Sequence, residues 1–220
     1  MNAPFIRNHQ YNLIKKQAAM VQRACNTVAD PKVVESVRYS AQSKIVEALP
    51  EASEDQRLAL EKIVALQTLG DFGQYLRELE SDLIGFQPVT DKQIKKLFPK
   101  IKKLKVPDLA AIDLRFVTYL GWTDIATSKL FLVYARSGQL FGIEGRFTPT
   151  NKKGTCFLCN RQEEVALFSA ITKSKPANAS SDYYKAIGNY VCVDSGVCNR
   201  NITDVAALER FIQDIGGSSR

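Results

Sequence analysis

Four of the five cysteines in this 220-residue chain fall within 43 residues. Cys156 and Cys159 sit in a CFLC turn, and after a gap of 32 residues Cys192 and Cys198 follow in CVDSGVC. No other feature constrains the fold as tightly, because an ion bound by all four would force two distant turns together. Zinc takes four ligands in a tetrahedron, and a Cys-x2-Cys turn delivers two sulfurs to one ion. Gly154 precedes the first pair and relaxes such a turn, and the wider second pair lies between a strand and the last helix. A knuckle, an intervening hairpin and a ligand near a helix start together resemble a treble-clef finger. The competing reading is a disulfide pair. The opening MNAPFIRNHQYNLIKK lacks an apolar signal core, so a cytoplasmic, reducing location is expected and zinc is favoured. Four thiolates close the shell, whereas a catalytic zinc keeps a position open. One structural zinc is therefore expected.

The first 85 or so residues carry helical periodicity. Tyr11, Ile14, Ala18, Val21, Cys25 and Val28 draw one apolar face, with Cys25 read as a small buried hydrophobe. Asp30-Pro31 supplies a cap and a first-turn proline for a second helix with Val34, Val37, Ala41, Ile45 and Ala48 inward. Ser53 and Gln56 form a capping box for a third, with Ala59, Ile63 and Leu66 as its stripe and Gly70 at its end. A fourth carries Phe72, Tyr75 or Leu76, Leu79 and Leu83. Residues 1–87 are thus expected to form an antiparallel four-helix bundle, with Gly85-Phe86-Gln87-Pro88 as linker.

Residues 88–220 change texture. Thr90 and Gln93 cap a short helix around Ile94, Leu97 and Phe98 that Pro99 ends. Lys129–Arg136 and Gln139–Phe147 flank Ser137-Gly138 as a hairpin, Val165–Ile171 and Tyr190–Val193 read as strands, and Asp204–Ile215 reads as a helix. A mixed α/β domain holding the zinc finger is expected here, with the ligands spanning 156–198.

Charge divides the same way. Residues 1–87 hold 10 Lys and Arg against 11 Asp and Glu, while residues 88–220 hold 20 against 12. A four-thiolate zinc site carries −2, which takes the formal total from +7 to +5. Lys92, Lys95, Lys96, Lys100, Lys102, Lys103 and Lys105 fall within 14 residues against one acid, Asp91. Such a run meets RNA phosphates or an acidic protein face, or is simply a solvated surface; charge alone does not separate these. Tyr183, Tyr184, Tyr190 and Phe211 surround the cysteines as interface anchors or as core. The chain has no phosphate-binding loop, nucleophile elbow or two-histidine metal motif. Its one histidine, His9, precedes the first apolar stripe, where a surface or capping role is the simple reading. A non-enzyme is expected. With no run near ~20 apolar residues, no membrane span is expected either.

The opening HQYNLIKK, the segments FPKIKKLKVPDL and DLRFVTYLGWTDIATSK, the GTCFLC knuckle and NYVCVDSGVCNRNITD together resemble the FusB/FusC family of fusidic-acid-resistance, elongation factor G-binding proteins. The resemblance spans nearly the whole chain. It implies a helical bundle followed by a treble-clef zinc-finger domain with the four cysteines as ligands. It also implies binding to the C-terminal domains of elongation factor G (EF-G), mainly through the finger, and promotion of its release from the ribosome; a monomer is expected. Fusidic acid traps EF-G there, so release gives resistance without chemistry on the drug. The family's contact positions fall on Tyr190 and Phe211, which keep an aromatic, on Thr155, which stands where the family has an aromatic, and on Ile187, which stands where it has a basic residue, with Lys185 two places away. The alternative is a zinc module that binds rRNA or another RNA directly.

Overall fold

The computed structural model describes residues 3–172 and 184–216. The chain divides into two compact units, Met1–Gly85 and Phe86–Arg220.

In the first unit, α1 (Asn8–Thr27) buries Tyr11, Ile14, Ala18, Val21 and Ala24, so the apolar seam ends on Ala24 rather than on Cys25. Cys25 is half-buried, and Arg38 Nη2 donates to its sulfur at 3.1 Å. Asp30 caps α2 (Pro31–Glu47) by accepting from the Lys32 amide at 2.9 Å. Helix α2 buries only Ala41 and Ile45, while Val34, Val37 and Ala48 are half-buried.

The Ser53–Gln56 capping box opens α3 (Glu54–Glu61), which passes into a 3-10 turn at Lys62–Ala65. Helix α4 (Leu69–Glu80) follows, and Gly70 lies in its first turn instead of closing the third helix. The reason is a second capping box. Thr68 Oγ1 accepts from the Asp71 amide at 3.2 Å, and Asp71 Oδ2 accepts from the Thr68 amide at 2.8 Å, which satisfies otherwise unpaired donors on both sides of the glycine and starts the helix at Leu69. Phe72, Tyr75 and Leu79 face inward, and the Tyr75 hydroxyl donates to the Leu60 carbonyl at 2.9 Å. Beyond the four expected helices, β1 (Ile6–Arg7) pairs in parallel with β2 (Leu83–Ile84). Leu83 therefore contributes to a strand, not to the fourth helix.

The second unit begins inside the expected linker. Phe86 is buried, and its amide donates to the Leu114 carbonyl at 2.8 Å. After α5 (Asp91–Leu97), capped by Thr90 and Gln93, an antiparallel five-stranded sheet runs in sequence order. Its strands are β3 (Leu120–Asp124), β4 (Lys129–Arg136), β5 (Gln139–Thr155), β6 (Gln162–Ile171) and β7 (Ala186–Cys192). Sequence reading missed β3. The β4–β5 hairpin closes at Arg136–Gln139 through Ser137 (φ 48°) and Gly138 (φ 76°), the left-handed pair that a two-residue turn requires.

Strand β4 is buried on both faces, which explains the unbroken apolar run LFLVY. Phe131 and Val133 join Phe86, Ile94, Phe98 and Leu104 on one side, with Trp122 stacked on Phe131 at 5.4 Å. Leu130, Leu132 and Tyr134 join the core holding the cysteines on the other. Gly142 admits α5 against the sheet, because a Cβ there would lie 2.7 Å from that of Leu97. Two helices complete the unit: α6 (Ser195–Asn201), a short element that sequence reading did not resolve, and α7 (Ala206–Gly216), which buries Leu208, Phe211, Ile212 and Ile215.

Candidate metal centre

Three elements bring the cysteines together. Cys156 and Cys159 occupy the tight turn joining β5 to β6, Cys192 ends β7, and Cys198 lies in α6. The knuckle is held by its own backbone: the Cys156 amide donates to the Arg161 carbonyl and the Asn160 amide to the Cys156 carbonyl, both at 2.9 Å, with Asn160 in the left-handed region at φ 54°. Gly154 acts differently from the expectation. It is a paired strand residue opposite Glu163, and its missing side chain makes room for Val165 Cγ2, 2.9 Å from where a Cβ would stand.

All four thiols are buried, and their sulfurs lie within 4.8 Å of one another. The Cys156–Cys198 and Cys159–Cys192 Sγ separations are 3.9 and 3.6 Å. A regular tetrahedron with zinc–sulfur bonds of about 2.3 Å has edges of about 3.8 Å. The donor set therefore fits one zinc ion. Electrostatics agree: hydrogen bonds from Cys159, Cys192 and Cys198 hold the Cys156 thiol far below its ordinary range, while contacts with Cys156 and Cys159 push Cys192 and Cys198 up. Touching sulfurs cannot all ionise without a cation, and a dication at their centre removes that conflict.

Polar side chains around the sulfurs fix the frame. Tyr119 is buried, and its side chain hydrogen-bonds Cys198; burial and the neighbouring sulfurs keep its hydroxyl protonated. Asn199, next to Cys198 and also buried, accepts the Thr118 and Tyr119 amides at 2.7 and 3.2 Å and donates to the Tyr119 carbonyl at 2.9 Å. Ser195 Oγ donates to the Gly121 carbonyl at 2.6 Å. These bonds clamp α6 onto the start of β3 and so set where Cys198 points. Sequence reading missed Tyr119, Asn199 and Ser195; the one available signal was the position of Asn199 next to a ligand.

The residues expected around the finger separate into two groups. Tyr190 is half exposed, paired with Leu167 on the outer face of β6–β7. Thr155 is exposed and accepts from Gln162 Nε2 at 2.8 Å, and Lys185 and Tyr184 are exposed. Ile187 instead pairs with the buried Ala170 and packs toward the core. Phe211 is only 3% exposed, with its ring centroid 5.8 Å from that of Phe157 and 5.7 Å from that of Phe168. As placed, Phe211 is core and not a surface anchor; α7 turns its apolar face to the sheet and leaves Arg210 outside. Tyr183 lies outside the described residues. Among the described residues the four cysteines are the one cluster of metal-ligating side chains, and no helix is long and apolar enough to cross a membrane.

Knuckle, hairpin and helix-borne ligand define a treble-clef zinc-finger protein that carries a separate helical unit before the finger. Residues 98–214 match the family described as FBP C-terminal treble-clef zinc-finger, and residues 5–87 match the one described as elongation factor G-binding protein, N-terminal. The chain belongs to the FusB/FusC family. It is similar to the solved fusidic acid resistance protein FusC, with a TM-score of 0.81 and 27% identity over 98% of this chain and 100% of that one. No curated protein sequence matches it. The matched families are described by a binding partner and by a fold, and neither by a reaction.

Proposed function

We propose that the chain binds elongation factor G through its zinc-finger domain and promotes release of the factor from the ribosome, which protects translation from fusidic acid. In this reading residues 1–87, packed as an antiparallel helical bundle, and residues 88–220 are separate domains of a cytoplasmic, monomeric, non-catalytic protein. The observation that carries it is the end-to-end likeness to FusC together with the EF-G-binding match in the first unit.

Zinc is a scaffold here. It fixes the knuckle against β7, and the exposed Tyr190 and Thr155 beside it, with the exposed Lys185 at the opposite end of β7, meet the partner. Ile187 and Phe211 support that surface from beneath, Phe211 by filling the space under Phe157. Release requires that the protein bind a state of EF-G that the ribosome holds poorly, because only differential affinity shifts an equilibrium. The test is sedimentation of ribosomes stalled with EF-G, GDP and fusidic acid. Adding the zinc-loaded chain moves EF-G from the ribosomal pellet to the supernatant; EF-G that stays pelleted at saturating protein contradicts the reading.

A further inference from the structure

The lysine run takes no part in the metal site. Lys92, Lys95 and Lys96 stand at i, i+3 and i+4 on α5 and so share one face of the helix, while Ile94 and Phe98 are buried beneath. Beyond Pro99 the chain is pinned again: the Ile101 amide donates to the Phe98 carbonyl at 3.0 Å, Leu104 is buried, and the Lys105 carbonyl accepts from Trp122 Nε1 at 2.9 Å. Lys100, Lys102, Lys103 and Lys105 are exposed from this anchored stretch. Among the described residues none of the seven lies within ion-pair distance of a carboxylate. Like charges one turn apart weaken a short helix, and the fold keeps three of them without neutralising any.

We propose that this lysine face binds the phosphate backbone of double-stranded RNA. The other exposed residues along Asp91–Lys105 are Asp91, Gln93 and Pro99; every aromatic and large aliphatic side chain of the stretch is turned inward, buried or half-buried. A protein-docking surface is built around desolvated apolar or aromatic anchors, and this face offers none. Single-stranded nucleic acid is gripped by stacking on aromatic rings, also missing here. What the face supplies is a set of mobile point charges on a rigid frame, which suits sequence-independent contact with a duplex backbone. The proposal does not depend on binding to EF-G.

The test uses the full zinc-loaded chain and a labelled RNA duplex of about 16 base pairs, followed by fluorescence anisotropy from about 50 to 200 mM salt. Affinity is expected to fall steeply with salt. The triple variant Lys92→Gln/Lys95→Gln/Lys96→Gln, with an unchanged melting temperature, is expected to bind at least tenfold more weakly and to show a log–log salt slope shallower by about three. A control with the same charge change in the first unit, Lys16→Gln/Lys32→Gln/Lys44→Gln, is expected to bind like the unaltered chain. Equal losses in the two variants, or no binding by the unaltered chain at the lowest salt, would overturn the proposal. So would tighter binding of polyglutamate than of the duplex at matched charge and salt, which would assign the face to an acidic protein.

Discussion

The Phe157 amide donates to the Tyr190 carbonyl at 2.7 Å. That bond ties the middle of the zinc knuckle to the residue of β7 with the half-exposed aromatic ring, so the position of Tyr190 follows the geometry of the metal site. Phe157 in turn packs its ring edge-on against Phe211. Metal, knuckle, exposed tyrosine and buried helix are thereby one mechanical unit.

Zinc removal is expected to unfold the second unit. Metal analysis should return one zinc per chain, and Cys198→Ser should lower that occupancy and the melting temperature together. Ligand thiols must be deprotonated to hold the ion, so zinc is retained at neutral pH and released as the pH falls. Zinc release followed with a colorimetric chelator across an acid titration checks the sign.

Tyr119→Phe keeps the buried ring and deletes the hydroxyl at Cys198. Outer partners of metal ligands typically govern affinity by about 10- to 100-fold. Zinc transfer to a competing chelator should become easier by about that factor, with little change in far-ultraviolet circular dichroism.

Asn199→Ala leaves the Thr118 and Tyr119 amides without their acceptor in a buried setting. Each unsatisfied buried donor costs about 1–3 kcal/mol, so urea unfolding of the second unit should show a loss of roughly 2–6 kcal/mol. Asn199→Asp, which keeps the acceptor oxygen, should lose less.

Phe211→Ala should destabilise the fold by about 3–5 kcal/mol through the cavity left under Phe157 and Phe168, whereas Phe211→Leu should preserve EF-G binding once folded. Binding abolished by Phe211→Leu at an unchanged melting temperature would place the ring in the interface after all.

Thr155 offers a gain. It is exposed beside the knuckle and next to the first ligand, and an aromatic anchor at an interface contributes about 1 kcal/mol or more. Thr155→Phe should tighten EF-G binding by about fivefold or more in calorimetry.

Much of this was readable from residue spacing. The four ligands were, because metal coordination demands particular residue types at short intervals, and so were the caps at Asp30, Ser53 and Thr90, because each is a local bond between neighbours. What escaped notice was non-local. Strand β3 reads as a polar-interrupted LGWTD, and only pairing with Lys129–Val133 makes it a strand. Tyr119 and Asn199 are 80 positions apart, so nothing in the sequence links them. Gly70 misled for the opposite reason: a glycine serves in a first turn as readily as after a last one, and the stronger Thr68–Asp71 box decided. Phe211 sits on an apolar stripe, and a stripe reports burial before it reports contact with a partner.

The most direct test is calorimetric titration of purified EF-G with the zinc-loaded chain and with Tyr190→Ala. The unaltered chain should bind one to one. The variant should retain its zinc and melting temperature while losing at least tenfold in affinity, about 1.4 kcal/mol. Equal binding by the two, or binding by the unaltered chain that survives removal of the zinc undiminished, would contradict a finger surface built on the metal.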